Sequence, residues 1–219
     1  MKKIVLIILA IILAVFAAIF IPWENLYVIR DNILGIGESY ASLKIYSLGG
    51  DMEVYLDDES KGIVRAQDSF LEVFPIEVGE HSVKLIREES EGEFYPGFKR
   101  VILFEKGFET VISWEIGPTY DSSSGWILYA KKMVGDEDYA YLNIRCEPED
   151  CSLQENDGDN MEAPISDLEL SLDSRHSYRV SGYGYQDLEF QILPEEEEAR
   201  LKLGGYDLFL EVNLYKIPI

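Results

Sequence analysis

Leu43, Ile45, Ser47, Met52 and Val54 recur as Leu142, Ile144, Cys146, Cys151 and Leu153, each 99 positions further on. A chain that repeats its alternate apolar positions in step is folding one small unit twice. The echo continues at a shrinking offset. The stretch from Gly79 to Lys84 is answered by Asp173 to Arg179, and His81 and His176 stand 95 apart. Gly97-Phe98, Val101 and Leu103 align with Gly184-Tyr185, Leu188 and Phe190 at 87. The drop of eight matches a loop such as Glu88–Tyr95 missing from the second copy.

Within each copy the period is two. Ala41, Leu43 and Ile45 alternate with Ser42, Lys44 and Tyr46, which reads as a half-buried strand. Gly49-Gly50-Asp51 turns the chain, Val54 and Leu56 resume the inward face, and Asp57 to Gly62 turns again. Gly79-Glu80 opens a strand with His81, Val83 and Leu85 on one face. Further strands are expected at Val101–Phe104, Phe108–Ile116 and Trp126–Lys131, with breaks at Gly117-Pro118 and Asp121–Gly125. Short strands between frequent turns point to a mainly β chain of two tandem small, Ig-like β-sandwiches. The first spans 40–132 and the second 139–219, with 133–138 as a linker.

Ahead of these, Ile4 to Ile21 carries no polar side chain. Extended to Trp23, a helix there is roughly 30 Å long, about one hydrocarbon thickness. Residues 1–23 are therefore expected to be a cytoplasmic stub and transmembrane anchor, with 24–39 as a spacer. A cleaved signal peptide is the rival reading, but its apolar region is usually about 7–15 residues. Lys2 and Lys3 stay cytoplasmic by the positive-inside rule, which sends the rest of the chain outward. The membrane, through residues 4–23, is the first expected partner.

Nineteen Lys and Arg against 41 Asp and Glu leave a net charge of −22. That balance excludes non-specific nucleic-acid binding, which needs a positive surface. It equally disfavours lying flat on an anionic leaflet.

The order of a short turn, a strand ending in two aspartates, and a Gly-Glu-His strand opening resembles the PEGA repeat. Pro148-Glu149-Asp150-Cys151 stands at the second copy's name-giving turn, and Gly49-Gly50-Asp51-Met52 at the first. Ala163-Pro164-Ile165 resembles the family's Thr-Pro-hydrophobic step, and both copies keep a Gly-aromatic step at Gly97-Phe98 and Gly184-Tyr185. The resemblance covers about 170 of 219 residues. It implies PEGA-like sandwiches and an association with cell-surface proteins.

His81 and His176 keep step with the repeat, so structural roles are expected for them, as for Gly97 and Gly184. A Ser-His-acid site would need a histidine beside a nucleophile, yet Ser82 and Ser177 point to the strand face opposite their histidines. No catalytic residue, cofactor or metal site is expected. Cys146 and Cys151 flank a turn. Outside the membrane that spacing favours a disulfide, with free thiols and a weak metal pair as alternatives. Asp57-Asp58-Glu59 and Asn156 to Asn160 are equivalent turns whose residue types suit a tight hairpin as well as a weak calcium contact. Glu195–Glu198 reads as a solvated acidic loop. Tyr46 and Tyr55 should face outward on the first hairpin, as an ordinary sheet-stabilising aromatic pair, with a sugar- or peptide-binding platform as the sharper alternative. The expected function is a non-catalytic, membrane-anchored extracytoplasmic binding or scaffold protein with a protein or cell-wall glycan partner. A subunit docking partners through sheet edges is the alternative, and a cell-surface enzyme a distant one.

Overall fold

The computed structural model describes residues 40–66, 70–88, 95–133, 139–156 and 158–218. The expected anchor helix, the spacer and most of the linker lie outside these residues. Tyr40–Ile219 forms one compact unit. It is mainly β, and among the described residues no helix is long and apolar enough to cross a membrane.

The alternation of the first copy becomes β1 (Ala41–Gly49), whose Ala41, Leu43 and Ile45 are buried while Ser42, Lys44 and Tyr46 are not. Next come β2 (Met52–Leu56), β3 (Glu59–Val64), β4 (Leu71–Ile76), β5 (Gly79–Arg87), β6 (Phe98–Phe104) and β7 (Glu109–Glu115). A 3-10 turn at Tyr120–Ser122 leads into β8 (Ser124–Lys132). The second copy supplies β9 (Ala140–Glu147), β10 (Ser152–Glu155), β11 (Asn160–Glu162), β12 (Ile165–Leu170), β13 (His176–Ser181) and β14 (Leu188–Ile192). A one-turn helix α1 (Glu197–Leu201) and β15 (Tyr206–Asn213) complete it.

Each copy builds the same seven strands in the same order. One small sheet runs β3-β2-β5-β6 and its counterpart β11-β10-β13-β14. In both copies the first strand pairs antiparallel with the fourth and parallel with the seventh. The larger sheet is common to both copies: β12-β9-β15-β8-β7-β1-β4. Its middle strand, β8, has no counterpart in the repeat and is antiparallel to β7 and β15 alike. The copies are thus related by an approximate two-fold axis along β8.

Such an axis reverses the sheet's faces, so the two cores lie on opposite sides of it. Side chains along β8 alternate accordingly. Ile127 joins the core containing Leu43, Ile45, Val54, Leu85 and Ile112, and Tyr129 packs against it. Trp126, Leu128 and Ala130 join the core containing Leu142, Ile144, Leu153, Tyr178 and Leu210. The stretch expected to close a first, separate sandwich is a spine serving both. The linker expected at 133–138 falls between β8 and β9, which are not sheet neighbours, because β15 lies between them.

Local pattern missed some strands. β3 and β4 fall where turns and an unassigned segment were expected, because Glu59-Ser60-Lys61 is polar and both strands are sheet edges with little to bury. Gly125, expected in a chain break, lies inside β8 at φ 151°, and an added Cβ would run into the Ser113 carbonyl and the Trp114 backbone. The repeat alignment near Leu103 also shifts. His81 faces Ile102 and His176 faces Ile192 across their ladders. Phe98, Arg100 and Ile102 therefore correspond to Leu188, Phe190 and Ile192, an offset of 90 rather than 87. Val101 and Leu103 point outward, and Arg100 interrupts the apolar pattern that would have revealed this.

Candidate functional site

The two histidines occupy equivalent places and hold equivalent turns. His81 Nδ1 lies 2.6 Å from Asp57 Oδ2 and Nε2 lies 2.9 Å from the Glu77 carbonyl oxygen. His176 pairs through Nδ1 with Glu155, and its Nε2 lies 2.7 Å from the Ser171 carbonyl oxygen. Each ring nitrogen thus faces an acceptor in a turn or at the strand end beside one. Asp57 Oδ1 also accepts the Ser82 amide at 2.9 Å, as Asn156 Oδ1 accepts that of Ser177. The His81 hydrogen bond, then the Ser82 amide, holds the Asp57 carboxyl below its ordinary value. Asp57, Asp58 and Asn156 have positive φ, the conformation a tight hairpin turn requires. Gly97 and Gly184 likewise have φ of 66° and 82°. Cys146 and Cys151 form a disulfide across the turn between β9 and β10.

Tyr46 and Tyr55 both point outward, but not together. β1 belongs to the large sheet and β2 to the small one, so the two rings emerge from opposite sides of the sandwich. Tyr46 packs against Phe70 at 5.9 Å, and Lys84 Nζ lies 5.4 Å from the Tyr55 ring. The aromatic pair expected from a single hairpin, and with it a shared platform, does not form. The turn after Gly49 carries the chain from one sheet to the other.

The repeat also brings together residues that the sequence reading did not select. In the second copy Phe190 reaches over β8 and stacks on Trp126 at 5.0 Å, closing the end of that core. The equivalent of Phe190 is Arg100. The equivalent of Trp126 is Gly125, since Val212 faces Trp126 and its counterpart Trp114 faces Gly125. An aromatic stack in one copy is thus an arginine above a glycine in the other. What remains open is a groove of about 510 Å³. Its floor comes from Ile127 on β8, Glu211 and Asn213 on β15, and Arg145 and Glu147 on β9. Arg100 overhangs it from β6, and the half-exposed Tyr120 also lines it.

Charge in this groove is mixed and ordered. Glu211 accepts a hydrogen bond from the Tyr129 hydroxyl at 3.0 Å. Burial, then the Glu211 charge, pushes the Tyr129 phenol up to about 12, and Arg145 and Arg100 act in the opposite sense. Neither arginine makes an ion pair among the described residues. Arg145 and Glu147, two apart on β9, present opposite charges along one line. A smaller hollow of about 300 Å³ on the outer face of β13 and β14 is crossed by the Arg179–Glu189 ion pair.

The class these features define is a mainly β chain of two copies of one sandwich sharing a central strand, with a polar groove where the copies differ. Comparison with models of known families finds no match, and comparison with curated proteins likewise finds none.

Proposed function

We propose that this chain is a non-catalytic, membrane-anchored extracytoplasmic protein that presents its β unit as a binding scaffold. The observation that carries the reading is the groove, where the copies differ at a core end and Arg100 and Arg145 make no ion pair among the described residues. The histidines support it, because both are held between acceptors in or beside turns rather than beside a nucleophile. The apolar run Ile4–Ile21 supports the anchor, and the Cys146–Cys151 disulfide fits an oxidising compartment. The resemblance to PEGA modules points the same way, to an envelope or cell-surface setting.

The test is topological. Tyr183 is fully exposed, so Tyr183→Cys in the full chain offers a labelling site. A membrane-impermeant maleimide should label it in intact cells, and the chain should stay with membranes through an alkaline wash. Labelling only after lysis, or release into the soluble fraction, would refute the reading.

A further inference from the structure

We infer that the free edge of β6 accepts an extended segment of a partner protein as an added strand, laid into the groove, with an acidic and a basic side chain two residues apart. This rests on the binding-scaffold reading and names the chemistry of its ligand.

The first ground is the backbone. β6 is the last strand of its sheet, hydrogen-bonded only to β5 among the described residues. Ser82 uses both its amide and its carbonyl on the β2 side, toward Asp57. Its partner across the ladder, Val101, is therefore in a pair that exchanges no hydrogen bonds, and it turns its own N–H and C=O away from β5. By alternation Lys99 and Leu103 do the same. Three donors and three acceptors line the open edge, and Val101 is 66% exposed. Strand addition uses such a row for affinity and the alternate side chains for specificity.

The second ground is the empty layer. β6 packs over β8, and the large sheet continues past β8 through β15, β9 and β12. Beyond β6 nothing described covers that face, where Phe209, Glu211, Tyr141, Asn143 and Arg145 are half-buried or exposed. A strand about 4.8 Å beyond β6 would lie over β15 and restore the second layer. A second copy of this chain cannot do so through its own β6. Its large sheet would have to occupy the layer that β15 and β9 already fill.

Charge selects the segment. Side chains two apart on a strand are about 7 Å apart on one face, the spacing of Arg145 and Glu147 on the floor. An acidic residue of the segment pointing inward meets Arg145 and Arg100, two guanidinium groups that outnumber the Glu211 carboxylate beside them, and a basic one two positions on meets Glu147 and Glu149. Such a segment is locally neutral, so the chain's net charge of −22 does not repel it. Lys99 on the edge discourages like-charged strands.

The experiment uses the full chain in lipid nanodiscs against a displayed library of random twelve-residue peptides. Selected sequences should share β-branched residues alternating with an acid and a base two apart. Binding should slow deuterium exchange at the Lys99, Val101 and Leu103 amides. Val101→Pro removes an outward N–H that the fold does not use, so it should fold yet lose binding. Arg100→Glu with Arg145→Glu should weaken the selected peptides roughly tenfold or more and favour a library with the charges reversed. No enrichment over empty nanodiscs, or binding that survives Val101→Pro, would overturn the proposal. So would an anionic oligosaccharide that displaces the peptides and binds the proline variant equally. Those failures leave the topology test above untouched, so the two readings fail separately.

Discussion

The shared spine makes an energetic prediction that separate modules would not. Ile112 is fully buried at the centre of β7, opposite Ile45 on β1 and Ile127 on β8. Ile112→Ala removes three carbons from a site closed on both sides by paired strands and above by the small sheet, so little collapse can fill the cavity. Such changes cost about 2–5 kcal/mol, and this packing places the cost near 4 kcal/mol. For a unit of this size each kcal/mol lowers Tm by roughly 2–4 °C, giving a fall of roughly 8–16 °C. Cooperativity is the sharper readout. Losing the first core strips β8 of β7 and of the packing on Ile127 and Tyr129, and β8 is the strand on which β15 and the second core are built. Calorimetry of the full chain in detergent should show one transition, shifted as a whole. Hydrogen exchange should show amides of β9 and β13 losing the same free energy of protection as those of β1 and β5. Two resolved transitions, or β9 and β13 protected as before, would refute the shared-spine account.

Three other outcomes follow. Arg200 is buried and donates to the carbonyls of Leu172, Asp173, Pro194 and Glu195 at 2.6–3.1 Å; Arg200→Ala strands these acceptors and should cost about 3 kcal/mol in urea unfolding. Cys146→Ser with Cys151→Ser opens a six-residue loop and should cost about 2 kcal/mol in the chain-entropy model, while thiol alkylation of non-reduced native protein should label neither cysteine. Asp57 has its folded pKa depressed by His81 and Ser82, so its contribution is present above the unfolded value of about 3.9 and is lost as pH falls through the folded one. Asp57→Asn, which copies Asn156 of the second repeat, should flatten the acid limb of the unfolding midpoint below about pH 4; an unchanged limb would remove Asp57 from the acid response.

Strand count is another matter, and edge strands show why. β1, β2, β5 and β7 were legible because each buries one face, and burial writes a period of two into the sequence. β3 and β4 lie at edges and bury little, so their residues read as turn or as nothing. The same logic hid Arg100. At an inward position of an edge strand an arginine can reach past the core, so its chemistry suits the site while its pattern hides the strand register. No count along the chain reveals it, because the loops between the paired strands differ in length; only the ladder register from the two histidines makes Arg100 the equivalent of Phe190.

By itself the sequence determined which side chains of β1, β2 and β5 face inward, that one unit is built twice, that the histidines stand at equivalent places in it, and that two cysteines flank one turn. These are local facts, carried by alternation and spacing along the chain. Tertiary structure alone decided that β1 and β2 enter different sheets, which parts Tyr46 from Tyr55, and that β8 is inserted between the copies as a strand both cores share. Alternation tells a strand which of its faces is buried but not which neighbour it pairs with. A strand apolar on both faces, such as Trp126–Ala130, takes its meaning only from the two layers that close over it.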